Sequence, residues 1–379
     1  MPRVMHVIGG LEVGGAEMAL YRLVTATAGG ESTYTHAVVS LTPDGPMGQR
    51  LRDSGIELTT FDFRKAPLRH FFDLLTLLRR SRPDIVQTWM YHADMLGGLA
   101  ARLSGIRNVI WGIRTSELTA GSSRATIAVR AACAWLSRWV PHTIVCVAEA
   151  ARETHMHAGY EPGRMVVVPN GFDLSRLTAS DEQISRMRAQ CGFGTKHLVI
   201  GTLGRFNFSK DQQNFVRAAG ELAQQHENVR FLMVGRNLDA NNAELIRWIG
   251  KTGHADRFVL LGERADVPTC LGAMDIFCLS SRNEGFPNVV GEAMALARPC
   301  VVTDVGDAAM LVGDTGVVVP RENSTALARG MTRLVTMDTE ARHRLGRCAQ
   351  DRIRADFTTD KTRERFESIY RCLTEKNLV

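Results

Sequence analysis

The chain has 379 residues, and at about 150 residues per domain that length favours two domains over one. Its 45% hydrophobic and 23% charged residues are the composition of a globular protein, which excludes a chain too polar to bury a core. No run approaches the roughly 18 consecutive apolar residues of a membrane-spanning helix, and Met1-Pro2-Arg3 leads straight into a strand-like segment, which is not the pattern of a signal peptide. Forty-six Lys and Arg against 40 Asp and Glu give a net charge of +6. That balance suits an anionic substrate or a membrane surface. It would also suit nucleic acid, but no recognised binding motif and no basic stripe interleaved with aromatics is present, so nucleic acid is not an expected partner. Eight cysteines without a CxxC pair read as reduced core thiols of a cytoplasmic protein.

Short apolar runs alternate with helical stretches along the first half. Strands are expected at 4–8, 35–40, 85–88, 108–111, 143–147 and 165–168, and helices at 15–28, 68–80, 95–103 and 126–139. Near-continuous apolar strands separated by helices predict a parallel sheet covered on both faces, a Rossmann-like domain. Pro169-Asn170-Gly171 then marks a turn, and 173–191 reads as a polar connection. From residue 197 the rhythm restarts, with strands expected at 197–202, 229–234, 258–261, 276–279, 300–303 and 316–319, and helices at 211–225, 243–251, 289–297 and 324–335. The expected fold class is therefore α/β, with an N-terminal domain over 1–170 and a second Rossmann-like domain over 171–358. A last helix over 359–379 carries Phe366, Ile369, Tyr370 and Leu373 at helical spacing; it could close the second domain or cross back to the first. Two such domains are expected to face each other across a ligand cleft at the carboxyl ends of their strands.

Three loops could line that cleft. The first, Gly9-Gly10-Leu11-Glu12-Val13-Gly14-Gly15-Ala16-Glu17, follows the first strand and lets a ligand approach backbone N–H groups at a helix start, without the GxGxxG spacing of a dinucleotide fingerprint. The second runs from Gly201 to Asp211. It offers Arg205 and Lys210, two cations able to grip the two phosphates of a diphosphate, and lacks the Walker A arrangement. The third, Ser280 to Glu292, sets Glu284 in a Gly- and Pro-containing loop and Glu292 eight residues later, so that two carboxylates could serve the hydroxyls of one elongated ligand. Gly285, Phe286 and Asn288 stand where an anion would meet a helix N-terminus. A glycosidase role for Glu284 would need a second carboxyl about 5–5.5 Å away, which this spacing does not supply.

Gly14-Gly15-Ala16-Glu17, Gly204-Arg205 with Lys210, the strand end at Gly235, and Glu284-Gly285-Phe286-Pro287-Asn288 through Glu292 together resemble the retaining glycosyltransferases of the GT-B fold, family 4. The resemblance covers essentially the whole chain. It implies that Arg205 and Lys210 hold the donor's diphosphate, that Glu292 binds the ribose, and that Glu284 binds the transferred sugar with help from Gly285, Phe286 and Asn288. Gly14 and Gly15 would approach the phosphates or sugar from the first domain, and the base would lie against the segment after Gly235 and near Gly262–Arg264. It also implies no metal and no cofactor, a UDP-sugar as donor by family frequency, and attack on the same face as the departing diphosphate.

The sequence departs from the family at one place. Where many relatives have a histidine after the fourth strand, this chain reads Trp111-Gly112-Ile113-Arg114-Thr115-Ser116-Glu117, so Arg114 takes that place and could bind phosphate or sugar oxygens. His92, after the preceding strand, is a candidate substitute. The implied activity moves a hexose or N-acetylhexosamine to a glycan or a polyprenyl-diphosphate-linked saccharide in cell-surface polysaccharide synthesis. Two basic and apolar stretches, 64–80 and 124–139, could rest on the anionic inner face of the plasma membrane. A UDP-sugar epimerase of related fold, or a transferase with a small soluble acceptor, is the alternative.

Overall fold

The computed structural model describes residues 1–26, 33–116 and 123–375. The last two positions of the helix expected over 15–28, the last four of that expected over 359–379, and Glu117 lie outside the described residues. Among those described, no helix is long and apolar enough to cross a membrane. The chain forms two compact units, one of Met1–Gly171 together with the chain from Thr359 onward, the other of Phe172–Thr358.

The first unit holds strands β1 (Arg3–Ile8), β2 (Thr35–Ser40), β3 (Glu57–Thr60), β4 (Ile85–Trp89), β5 (Val109–Ile113), β6 (Thr143–Cys146) and β7 (Met165–Val167). They form one parallel sheet in the order β3-β2-β1-β4-β5-β6-β7. Every residue of β4 and β5 is buried, as strands covered on both faces must be. β3, with sequence Glu-Leu-Thr-Thr, is a half-exposed edge strand without an apolar run, which is why the sequence does not announce it. The helices are α1 (Gly15–Ala26), α2 (Pro46–Asp53), α3 (Pro67–Ser81), α4 (Tyr91–Leu103), α5 (Arg124–Leu136) and α6 (Glu149–His157). α4 starts four residues earlier than its apolar pattern predicts, because Met90 turns the chain with φ of 74° directly after β4.

The second unit holds β8 (Leu198–Leu203), β9 (Val229–Val234), β10 (Phe258–Leu260), β11 (Ile276–Leu279), β12 (Cys300–Thr303) and β13 (Gly316–Val319). They too are all parallel, in the order β10-β9-β8-β11-β12-β13. Its helices are α7 (Asp181–Gln190), α8 (Gln212–Gln225), α9 (Ala243–Gly250), α10 (Val267–Gly272), α11 (Asn288–Ala295), α12 (Ala308–Val312), α13 (Ser324–Val335) and α14 (Thr339–Asp356). Ile200, Phe231, Met233, Cys278 and Val301 of the strands pack with Phe215 and Leu222 of α8 and Leu327 and Met331 of α13 in its core. The unit closes on itself where Phe172 N–H donates to the Phe357 carbonyl at 2.8 Å.

The last helix, α15 (Thr359–Glu375), belongs to the first unit and packs on α1. Phe366, Tyr370 and Leu373 join Val4, Leu20, Val38, Ile85 and Trp89 in one core. The Tyr370 hydroxyl donates to Gln87 Oε1. Each of these three side chains contributes about 1.5–3 kcal/mol of apolar burial, so the chain's end is part of what holds the first unit together.

A polar chain runs through this core. The Trp89 indole N–H, which can only donate, is 3.2 Å from His6 Nδ1. His6 therefore carries its proton on Nε2 and gives it to His36 Nδ1 at 2.8 Å. His36 Nε2–H is left buried without a partner. Burial holds His6 well below its ordinary value, the neighbouring His36 adding to the effect, and pulls His36 down to about 4. Burial also lowers His155, whose Nε2 meets the Tyr91 hydroxyl at 2.8 Å, to about 4.

The folded unit keeps these rings neutral while the unfolded chain takes up protons below about pH 6.5. Their stabilisation is complete above that pH and is lost as the pH falls toward about 4. Asp94 acts oppositely: burial raises its carboxyl to about 8, so its stabilisation is present at low pH and is lost as the pH rises through 8. Urea midpoints should therefore peak near neutrality and drop on the acid side, with His36 alone accounting for about 3 kcal/mol between pH 6.5 and 4. His36→Asn, which keeps the acceptor facing His6, should flatten that acid limb; an unchanged limb would contradict the assignment.

Candidate functional site

In a parallel sheet all strands end at one edge, and the chain leaving two neighbouring strands in opposite directions opens a crevice there. In the second unit β8 pairs with β11, while β9 lies on the far side of β8 and β12 on the far side of β11. The loops after β8 and β11 therefore meet at a topological switch point. They carry Arg205 and Lys210, and Glu284.

Lys210 Nζ forms an ion pair with Glu284 Oε1 at 2.6 Å, both side chains being largely buried. The Ser281 hydroxyl donates to the same carboxylate oxygen at 2.6 Å. Arg205 is exposed, and its guanidinium has no hydrogen-bond partner among the described residues. Its backbone is fixed instead: Gln212 Nε2 donates to the Arg205 carbonyl at 2.9 Å, and Asn207 caps the following turn by accepting from Ser209 N–H at 2.9 Å. One cation is thus held beside the sugar-binding candidate and the other is free to meet a ligand.

Sequence reasoning gave no role to Arg282 or Asp211, which tie the two loops together. Arg282 Nε is 2.8 Å from Asp211 Oδ2, Arg282 Nη1 is 3.0 Å from Glu322, and the guanidinium lies 4.4 Å from the centre of the Phe208 ring. Asp211 sits at φ 48° as the N-cap of α8, accepting from Asn214 N–H. Arg282 N–H also donates to the Ser209 carbonyl at 2.8 Å, and the Ser280 hydroxyl to the Lys210 carbonyl at 3.0 Å. The only advance signal was the acid directly after Lys210 and the base two residues before Glu284.

Gly235 and Gly306 are required where they stand. Gly235 has φ of 143° and a Cβ there would collide with the Gly204 carbonyl; its N–H donates to the Gly262 carbonyl at 2.8 Å. Gly306, at φ 53°, lies against the backbone of Glu284 and Gly285. The Phe286 ring is buried between Phe172 and Phe357, with centroids 6.1 and 6.0 Å away, so only its backbone is available to a ligand. Asn288 opens α11, and Glu292 lies four residues into that helix, since the loop takes up the preceding stretch. Glu284 and Glu292 are therefore separated by a loop and about one helical turn, rather than two turns of helix.

The remaining candidates lie in the first unit. Gly15 opens α1 with open space where a side chain would be, while Gly14 lies against the carboxylate of Glu17, a group that burial raises above its ordinary value. His92 is exposed on the first turn of α4. Arg114 follows β5, and its Nη2 donates to Asn170 Oδ1. No group of three His, Cys, Asp or Glu side chains able to hold a metal occurs among the described residues.

Comparison with known proteins gives a family match in each unit. Residues 13–176 match the family described as Glycosyltransferase Family 4, and residues 197–337 the one described as Glycosyl transferases group 1. An Escherichia coli UDP-Gal:alpha-D-GlcNAc-diphosphoundecaprenol alpha-1,3-galactosyltransferase is 26% identical over 63% of this chain and 62% of its own. The lipopolysaccharide core mannosyltransferase LpcC of Rhizobium leguminosarum bv. viciae is 31% identical over 56% and 60%. The chain thus spans about three fifths of the length of these curated relatives. Among solved structures, Anabaena HepE in complex with UDP superposes with a TM-score of 0.84 at 22% identity, over 97% of this chain and 98% of that one. With a match in each unit and this fold along nearly its whole length, the chain joins a Glycosyltransferase Family 4 domain to a Glycosyl transferases group 1 domain in the GT-B fold.

Proposed function

We propose that this protein is a retaining, metal-independent glycosyltransferase of polysaccharide or glycolipid synthesis. It moves a hexosyl or N-acetylhexosaminyl group from a UDP-sugar to a glycan or a polyprenyl-diphosphate-linked saccharide. The observation that carries the reading is the Lys210–Glu284 pair at the switch point, a cation and a hydroxyl acceptor 2.6 Å apart. A nucleotide diphosphate sugar presents the matching neighbours, a phosphate and a ring bearing hydroxyls. The Escherichia coli relative named for UDP-Gal, and the UDP complex of HepE, support the choice of UDP.

In the reaction the bond from sugar C1 to the β-phosphate oxygen breaks and a bond from C1 to the acceptor oxygen forms on the same face. The acceptor's proton passes to the departing phosphate oxygen. Arg205 and Lys210 stabilise the charge that grows on the leaving UDP, and Glu292 holds its ribose. Glu284 accepts hydrogen bonds from the sugar hydroxyls and fixes the ring for departure. With two cations assigned to the diphosphate, no metal is given a role.

We further place the protein at the cytoplasmic face of an anionic membrane. Residues 64–138 contain 12 Lys and Arg against 4 Asp and Glu, a net +8 in a chain whose total is +6. On α3 and α5, which both pack against α4, Leu68 and Phe72 are 77% and 62% exposed, and Trp135 and the nearby Trp139 are 63% and 51% exposed. The two tryptophan rings touch edge to face at 4.7 Å. Paired aromatics on a basic surface fit a lipid interface.

Arg205→Ala and Lys210→Ala should each lower kcat/KM by roughly 100- to 1000-fold, and Glu292→Ala should act mainly on KM. Release of UDP in the presence of an undecaprenyl-diphosphate-linked saccharide, with the product anomer read by NMR, checks all three; an inverted anomer would contradict the retaining mechanism. The protein should sediment with vesicles containing phosphatidylglycerol and not with pure phosphatidylcholine. Trp135→Ala/Trp139→Ala should weaken that binding by roughly tenfold, and raised salt should weaken it further. Equal binding by the variant would remove the tryptophans from the interface.

A further inference from the structure

Arg114 is a half-buried residue whose charge no acid among the described residues answers. Its Nη2 donates to Asn170 Oδ1, and its guanidinium carbon lies 5.2 Å from the centre of the Trp89 ring. Both neighbours are neutral. Nε and Nη1 are closed off from solvent and have no acceptor, and the hydroxyl of Ser116, two residues on, is buried and unpartnered as well. Burial pulls the guanidinium down to about 10, still well above neutrality, so the charge persists at working pH. Cys146, the titratable group whose proximity acts on it, is a buried thiol pushed up to about 12 and is neutral.

A buried, uncompensated cation destabilises the protein that contains it. Its position says what could offset that cost. Arg114 follows β5, and Trp89 closes β4; Met90 N–H donates to the Gly112 carbonyl at 2.9 Å, which holds these two strand ends together. β4 pairs with β1, and the glycine loop after β1 leads to the open start of α1 at Gly15. This is the carboxyl edge beside the switch point of the first sheet, where β2 lies beyond β1 and β5 beyond β4. The Trp89 indole is itself locked by His6, so the platform under the guanidinium is rigid. Planar guanidinium donors on such a platform suit a tetrahedral oxyanion.

We propose that Arg114, held by Trp89 and Asn170, is an oxyanion-binding residue that takes a phosphate or diphosphate group of a substrate. The assignment rests on the reading that this chain transfers sugars between phosphorylated substrates. Two sources share the chemistry: the donor's diphosphate and the diphosphate of a lipid-linked acceptor.

Calorimetry and thermal melting with pyrophosphate, UDP and farnesyl diphosphate test it on four proteins: the wild type, Arg114→Gln, Arg114→Lys, and the Arg205→Ala/Lys210→Ala double variant. Arg114→Gln should bind at least one of the diphosphates about 10- to 100-fold more weakly, and Arg114→Lys should lose less. Without ligand, Arg114→Gln should melt at or above the wild-type temperature, because the unanswered charge is gone. A loss for farnesyl diphosphate that is independent of Arg205 and Lys210 assigns the acceptor's diphosphate; a loss confined to UDP assigns the donor's. Unchanged affinities in both Arg114 variants, or a wild type that binds none of the three, overturn the proposal. Should the Gln variant fail to fold, the Lys variant decides alone. Absence of UDP binding with intact, Arg114-dependent farnesyl diphosphate binding would count against the donor reading while sustaining this one.

Discussion

Lys210 and Glu284 lie 74 positions apart in sequence and 2.6 Å apart in space, and the second unit is arranged so that they meet. A parallel sheet delivers both loops to one edge, and the β8–β11 pairing makes them neighbours. Arg282 and Asp211 then clamp loop to loop, while Gln212 and Asn207 hold the turn in which Arg205 and Lys210 stand. Charge pairing at a partly buried position is favourable only where the partners are pre-oriented, and the surrounding hydrogen bonds provide that orientation. In the ligand-free protein the pair satisfies both charges; on binding, phosphate would replace the carboxylate at Lys210 and sugar hydroxyls would replace the ammonium at Glu284.

The first unit shows a different economy of charge. Its polar core atoms form a directed chain, His36 to His6 to Trp89, in which each proton position follows from the indole being a donor only. That chain ends under Arg114, which no carboxylate among the described residues answers. The outer helices of the same unit hold a large excess of basic residues and two exposed tryptophans. A cation unpaired among the described residues and a basic, aromatic outer surface both give this unit a surplus of positive charge.

Most of the fold was legible because buried parallel strands write themselves as apolar runs; β4, β5, β11 and β12 are buried along their whole length. What stayed hidden had no such pattern. β3 is an edge strand with one apolar residue, and α14 is an 18-residue helix rich in charge whose start depends on the Asp338 cap. The helix expected over 289–297 ends at Ala295, since Ala297 adopts a positive φ of 56°. Of the site, residue types and loops were legible, and the roles came from resemblance. The Arg282–Asp211 clamp spans 71 positions, and the isolation of Arg114 depends on Trp89 and Asn170. Spacing along the chain carries no signal for either.

The most direct test of the account is a calorimetric comparison of UDP with a UDP-sugar on wild type, Glu284→Ala and Lys210→Ala. Glu284→Ala frees Lys210, so UDP should bind as well as before or more tightly while the preference for the UDP-sugar over UDP disappears. Lys210→Ala should weaken both ligands together. If Glu284→Ala weakened UDP as much as the UDP-sugar, or if neither variant altered either affinity, the assignment of phosphate to Lys210 and sugar to Glu284 would be contradicted.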